Sequence, residues 1–256
     1  MFIVTKDGKA WNGTNFNPPI LIKLQVDPSL NPNLVGTYYL SNDGKLEYVG
    51  GQMKDGDLVA KLRQTGNHAV LAYKMRFNDV PSTHWASSVI EQMVAKHKMN
   101  GTSNSTFEPE RSVTRAEFTA MLVRALNLTE RSELKFTDVA ADVWYADSIS
   151  SAVKAGIVTG RNETLFAPSE EITREEMVVM MMRAYKVLKE LSKESNNLTP
   201  APVSTFTDEA EIVPWALDAV RAAAAMQLIN GRESGRFAPS ESSTRAEAAV
   251  ILNRML

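Results

Sequence analysis

Trp85…Gly101…Phe107-Glu108-Pro109…Thr114-Arg115-Ala116-Glu117 is the stretch that decides the fold, because the chain writes its pattern three times. The second copy reads Trp144…Gly160…Phe166-Ala167-Pro168…Thr173-Arg174-Glu175-Glu176. The third reads Trp215…Gly231…Phe237-Ala238-Pro239…Thr244-Arg245-Ala246-Glu247. In every copy Trp to Gly is 16 residues, Gly to Phe is 6 and Phe to Thr is 7. A second arginine follows the first by 9 residues, at Arg124, Arg183 and Arg254. Repetition without slippage means one supersecondary unit built three times over.

Each unit opens on Phe-x-Asp: Phe77 and Asp79, Phe136 and Asp138, Phe206 and Asp208. A first helix is predicted next, with an apolar stripe begun by Trp85, Trp144 or Trp215. Val89, Ile90, Met93 and Val94 continue it in unit one; Ile149, Ala152 and Val153 in unit two; Leu217, Ala219 and Val220 in unit three. Gly101, Gly160 and Gly231 lie beyond the helix end, where a residue of positive φ suits a cap or turn. Phe-x-Pro follows in a loop, Pro ending regular structure. The second helix starts at the Thr. Thr114 with Glu117, Thr173 with Glu176 and Thr244 with Glu247 match the capping box, in which hydroxyl and carboxylate satisfy each other's backbone amides. Phe118, Met121, Leu122, Ala125 and Leu126 carry this helix's stripe in unit one, and Met177 with Met180 to Met182 reads as adaptable core filling in unit two.

Equivalent anchors lie 59 residues apart between units one and two, and the Trp and Thr anchors lie 71 apart between two and three. The added material includes residues 186–194, a continuation of the second helix, and a polar Pro-bearing linker over residues 196–204. A two-helix unit cannot bury its stripes alone, so the three must pack as one body, as a solenoid or closed on a pseudo-threefold axis.

Upstream, residues 1–75 carry short, partly alternating apolar runs separated by turn formers, which predicts four to six strands. Asn42-Asp43-Gly44 between two such runs predicts a hairpin. The fold class is therefore α+β: a small, mainly β segment over 1–75, then a helical domain over 76–256 with repeats at 77–126, 136–185 and 206–256.

The chain has 256 residues, 44 % hydrophobic and 23 % charged, a globular rather than a disordered profile. Its formal charge of -2 gives no general pull on nucleic acid or anionic lipid, so any anion must be captured locally. No apolar run approaches the roughly 18 to 20 residues of a membrane helix. Neither nucleic acid nor a membrane is an expected partner. The absence of cysteine excludes disulfides and thiolate metal sites or nucleophiles. His68, His84 and His97 do not recur in all units and have no zinc-ligand spacing. There is no Gly-x-Ser-x-Gly elbow, phosphate loop or EF-hand pattern. No catalytic activity, cofactor or metal is expected. The opening residues lack the features of a signal peptide, and the chain is expected to be a fragment from the C-terminal end of a longer, exported protein.

The unit Phe-x-Asp-Val-Pro-x-x-His-Trp-Ala…Gly…Phe-x-Pro…Thr-Arg-Ala-Glu resembles the S-layer homology repeat. Unit one carries the whole pattern, and the three units cover about 70 % of the chain. In units two and three Val80-Pro81 becomes Val139-Ala140 and Glu209-Ala210. The resemblance implies a non-covalent anchor that holds a surface protein on a Gram-positive cell wall, extracellular, in the wall or S-layer. It implies as receptor a secondary cell-wall polysaccharide carrying ketal-linked pyruvate. It further implies a pseudo-trimeric spindle with sugar-binding grooves between adjacent repeats. The alternative function is a structural module associating surface-layer proteins without glycan recognition.

Physical chemistry singles out the tetrad arginine. At N1 a cation faces the positive helix end, unfavourable by about 0.3 to 1 kcal/mol. Arg115, Arg174 and Arg245 therefore call for a compensating anion, and a pyruvyl carboxylate fits a guanidinium fork. Pairing with a protein carboxylate, such as Asp79, Asp138 or Asp208, is the other reading. Trp85, Trp144 and Trp215 either offer an apolar platform for a sugar ring or place part of the indole in the core. Gly101, Gly160 and Gly231 either admit a ligand to the backbone or only make a turn. Arg124, Arg183 and Arg254 lie about 13 to 14 Å from N1 by helical rise, beyond reach of the same small group, and read as bridges between units. Glu175 beside Arg174, and Pro214-Trp215 in place of His-Trp, predict unequal grooves with Arg115 serving best. Replacing Arg115 with Ala is expected to leave folding largely intact.

Overall fold

The computed structural model describes residues 4–6, 9–11, 15–192 and 206–256. The linker expected over residues 196–204 lies outside them. The chain divides into two compact units. One takes the described residues up to Arg76 with Glu91–His97, and the other takes Phe77–Ile90 with Lys98–Leu256.

The first unit is built of β1 (Val4–Lys6), β2 (Lys9–Trp11), β3 (Asn15–Gln25), β4 (Val35–Leu40), β5 (Leu46–Gly50), β6 (Gln52–Lys54), β7 (Asp57–Gln64) and β8 (Asn67–Ala72). They form antiparallel sheets in the orders β1-β2, β3-β7-β6 and β5-β4-β8. The eight strands among the described residues exceed the four to six expected, because β1, β2 and β6 are three residues long, too short for alternation to register. The Asn-Asp-Gly hairpin forms: Leu40 faces Leu46, and Ser41 N–H donates to the Lys45 carbonyl at 2.9 Å. Between β6 and β7, Asp55 and Gly56 have φ of 52° and 86°, as a two-residue primed turn requires. Every second residue of β7 turns inward (Leu58, Ala60, Leu62), and Val35 and Tyr38 of β4 are also buried. The imidazole of His97 lies 4.7 Å from the Tyr48 ring and 5.2 Å from Tyr73, with Tyr38 Oη 3.2 Å from its Nε2.

The helices are α1 (Ser87–Ala95), α2 (Arg115–Leu126), α3 (Ala146–Lys154), α4 (Arg174–Ser192), α5 (Pro214–Ala225) and α6 (Arg245–Met255). α4 runs on past the length of α2 and α6, into the added segment. α2, α4 and α6 pack on one another, while α2 also packs on α3 and α4 on α5. In repeats one and two the second helix thus lies on the first helix of the next repeat. Closure is sealed by a ring of backbone bonds between repeats. Val113 donates to Ser243 at 2.9 Å, Ser243 to Ile172 at 3.0 Å, and Ile172 to Val113 at 2.9 Å. A cyclic triad of this kind excludes an open solenoid and makes the arrangement pseudo-threefold. Phe107, Phe166 and Phe237 are wholly buried, as are Met177 and Met181.

Two expectations are corrected. Trp85, Trp144 and Trp215 are 62, 66 and 58 % exposed, so most of each indole lies outside the core; Ala86 and Ala216, directly after their tryptophans, are the buried residues there. Gly101, Gly160 and Gly231 do not have positive φ. The left-handed residues at the ends of α1, α3 and α5 are His97, Gly156 and Gln227, four positions earlier. Glycine is needed for space: a Cβ on Gly101 would collide with the Phe77 ring and the carbonyls of Ser103 and Thr106. On Gly160 it would meet Phe136 and the carbonyls of Asn162 and Leu165.

Candidate functional site

At the start of each second helix the capping box is complete. Thr114 Oγ1 accepts from Glu117 N–H at 3.2 Å and Glu117 Oε2 from Thr114 N–H at 3.0 Å. Thr173 with Glu176 and Thr244 with Glu247 make the same reciprocal pair. The preceding two amides are not free. Those of Arg115 and Ala116 donate to the carbonyls of Glu170 and Pro168, those of Arg174 and Glu175 to Glu241 and Pro239, and those of Arg245 and Ala246 to Arg111 and Pro109. The exposed anion-binding helix end expected from the sequence is therefore absent, because a neighbouring repeat's Phe-x-Pro loop fills it.

That loop is shaped by Phe-x-Asp. Asp79 accepts from the amides of Phe107 and Glu108 at 2.9 and 2.6 Å. Asp138 does so from Phe166 and Ala167 at 2.9 and 2.7 Å, and Asp208 from Phe237 and Ala238 at 2.7 and 2.8 Å. The clamp holds Glu108, Ala167 and Ala238 at φ of 58°, 61° and 58°, a left-handed conformation that non-glycine residues adopt only when surroundings impose it. Burial alone would push the Asp79 and Asp208 carboxyls up, but the amide bonds outweigh it and hold both below the usual range.

Each tetrad arginine crosses to another repeat. Arg115 donates to the carbonyls of Phe166 and Thr159 at 3.1 and 3.2 Å. Arg174 reaches Phe237 and Asn230 at 2.8 and 3.3 Å, and Arg245 reaches Phe107 and Asn100 at 2.8 and 3.0 Å. Each guanidinium also lies over a phenyl ring, 4.8 to 5.3 Å from its centroid. All three arginines are buried, and burial pushes each guanidinium pKa down. Their carboxylate surroundings differ. Arg174 bonds Glu247 at 2.8 Å and Arg115 pairs with Glu176 at 3.6 Å. Arg245 forms no ion pair among the described residues; Glu117, the counterpart of those glutamates, is held by Arg111 at 2.6 Å.

Among the described residues, clefts open between repeats, and two of them bear on the expected site. One, of about 340 Å³, is lined by Met99, Asn100, Gly101, Thr102, Glu117, Ala120, Met121, Arg124, Trp144 and Arg245. It draws its backbone wall from repeat one, its indole from repeat two and its tetrad arginine from repeat three. The other, of about 660 Å³, is lined by Trp85, Arg232, Glu233, Arg236, Ala238 and Glu241. Its cations are paired: Arg232 with Glu241 and Glu247, Arg236 with Asp208 and Glu211. In the smaller cleft neither Arg124 nor Arg245 has an ion-pair partner among the described residues.

Of the expected ligand-binding residues, Arg245, Gly101 and Trp144 thus come together and Trp85 lines the other cleft. Arg115, Arg174, Trp215, Gly160, Gly231 and the three aspartates line neither. Sequence reasoning missed Arg124, set aside because one helix cannot bring both its arginines to one small group. The cleft takes them from α2 and α6 of different repeats, which no within-repeat spacing can disclose. Among the described residues no group of three or more His, Cys, Asp or Glu is placed to hold a metal ion, and no helix is long and apolar enough to cross a membrane.

Comparison with known proteins returns the S-layer homology domain over residues 76–119, 135–178 and 205–249. The chain is 36 % identical over 257 residues to an amylopullulanase of Thermoanaerobacterium thermosulfurigenes, covering 99 % of this chain and 13 % of that protein. It is 39 % identical over 209 residues to exoglucanase XynX of Acetivibrio thermocellus, covering 81 % of this chain and 19 % of that protein. It is 30 % identical over 185 residues to the S-layer protein EA1 of Bacillus anthracis, covering 72 % of this chain and 20 % of that protein. The chain therefore spans a fifth or less of the length of these relatives.

Proposed function

The chain belongs to the S-layer homology domain family, and from that premise we propose that it anchors by taking a pyruvyl carboxylate of wall polysaccharide into the cleft at Arg245. Domains of this family are cell-wall anchoring modules, which sets the location at the cell surface, in the wall or S-layer. Residues 76–256 are the proposed anchoring domain, with 1–75 as an accessory β segment.

The observation that carries the reading is the cleft's composition: two arginines with no ion-pair partner among the described residues, a glycine wall and an indole 66 % exposed. A carboxylate satisfies the guanidinium, a sugar ring stacks on Trp144, and Gly101 admits it to the backbone. Arg245 thereby replaces Arg115 as the favoured arginine. Arg115 already pairs with Glu176 and lines neither of these two clefts.

Sedimentation with wall material tests the proposal. The protein is expected to pellet with pyruvylated walls and to remain soluble with depyruvylated ones. Trp144→Ala should lower the affinity about tenfold, the equivalent of roughly 1.4 kcal/mol, without changing the thermal midpoint. Equal recovery with both wall preparations would replace the carboxylate reading with simple surface-layer association.

A further inference from the structure

The three repeats place one charged cluster in two different ways. In repeat two, Arg161 follows Gly160 and bonds Glu170 at 2.9 Å and the cap residue Glu176. In repeat three, Arg232 follows Gly231 and bonds Glu247 at 2.9 Å and also Glu241. Repeat one has Thr102 at that place, Arg111 where the others have Glu170 and Glu241, and Glu108 where they have Ala167 and Ala238. Its arginine thus approaches the cap glutamate from the Phe-x-Pro loop. It does so as a fork, Nη2 to Glu117 Oε1 at 2.6 Å and Nη1 to Oε2 at 3.2 Å, with Nε on Glu108 at 2.8 Å.

The consequence falls on the tetrad arginine that crosses over from another repeat. Where Arg232 stands beside the glycine, Glu247 also bonds Arg174, and Arg174 is not among the residues lining the cleft. Where Thr102 stands there, Glu117 is held by Arg111, and Arg245 lines the cleft with no ion pair among the described residues.

We propose that Arg111 and Thr102 decide which cleft accepts the ligand carboxylate. Arg111 is a positioning residue that holds Glu117 off Arg245, and Thr102 leaves open the space an arginine fills elsewhere. This rests on the carboxylate-binding reading above and names the selector within it. Guanidinium–carboxylate hydrogen bonds are among the strongest a side chain makes, so removing Arg111 frees Glu117 to take Arg245 and compete with the ligand.

The test is calorimetry on the full chain, with a monosaccharide carrying ketal-linked pyruvate and the same sugar without it as probes. Arg111→Ala is expected to weaken binding about tenfold, although Arg111 does not line the cleft. Adding Glu117→Gln should restore it, a rescue that a merely structural arginine would not show. The combined change Thr102→Arg, Glu108→Ala and Arg111→Glu gives repeat one the residues of the others at unchanged net charge, and should abolish binding while the chain stays folded. If Trp144→Ala weakens binding but Arg111→Ala binds as wild type, the inference alone is overturned. Loss in Arg111→Ala without rescue in a folded double variant overturns it likewise. If the wild type does not distinguish the two sugars, the underlying reading fails and the selector with it.

Discussion

Single atoms explain several of the repeated letters. Gly101 is fixed by space, and Gly101→Ala is expected to cost about 2 kcal/mol, read as a lowered urea midpoint. Ser243 stands at the closure ring where the other repeats have Val113 and Ile172. It is wholly buried, and its Oγ has no hydrogen-bond partner among the described residues. A buried hydroxyl left unpaired costs about 1 to 3 kcal/mol. Ser243→Val should therefore stabilise the chain by about 1 kcal/mol, measured by denaturant unfolding. Trp85, Trp144 and Trp215 were legible as a repeated feature, but their exposure was not. An indole at a helix start has the same spacing whether it faces core or cleft.

Elements are joined through their ends. Helices α2, α4 and α6 begin with their first two amides on another repeat's loop carbonyls and the third on a threonine hydroxyl. Thr173→Ala should cost about 1 kcal/mol. Losing Arg174 should cost more, on the order of 2 to 4 kcal/mol, since it strands Phe237 and Asn230 carbonyls and frees one side of Glu247. A similar burden applies to Arg115, whose guanidinium bonds two carbonyls of another repeat. The sequence-based expectation that Arg115→Ala leaves folding largely intact is therefore withdrawn, and thermal unfolding of that variant checks the revision. The capping boxes could be read from Thr-x-x-Glu, because both partners lie within one turn. The cross-repeat carbonyls could not, because they lie 44 to 145 residues away.

Over the whole molecule, acid acts on each unit through a different group. In the first, burial among tyrosines depresses the His97 pKa. A histidine held neutral in the fold stabilises it at neutral pH, and that stability is lost as pH falls through the unfolded value, near about 6.5. His97→Gln, the residue at the equivalent Gln227, should flatten this loss in urea unfolding between pH 7 and 5. In the second unit, Asp79 and Asp208 have depressed carboxyl pKa values, so their contribution persists until pH falls below the ordinary carboxylate range. Unfolding there should sharpen only in that lower window.

The sequence by itself determined the three units, their helices and caps, the β hairpin upstream and the family, all of which rest on contacts close along the chain. Periodicity and fixed spacing carry such information directly, because a helix turn or a cap brings near neighbours together. Only the tertiary structure decided that the repeats close in a ring and that each tetrad arginine crosses to another repeat. It also decided that one cleft joins Arg245, Arg124 and Trp144 from three repeats. A closed ring brings together residues whose distance along the chain holds no trace of their distance in space. The swap of Arg111 and Thr102 for Glu and Arg was visible in the letters throughout. Its meaning appeared only when Glu117 was seen on one arginine and not the other.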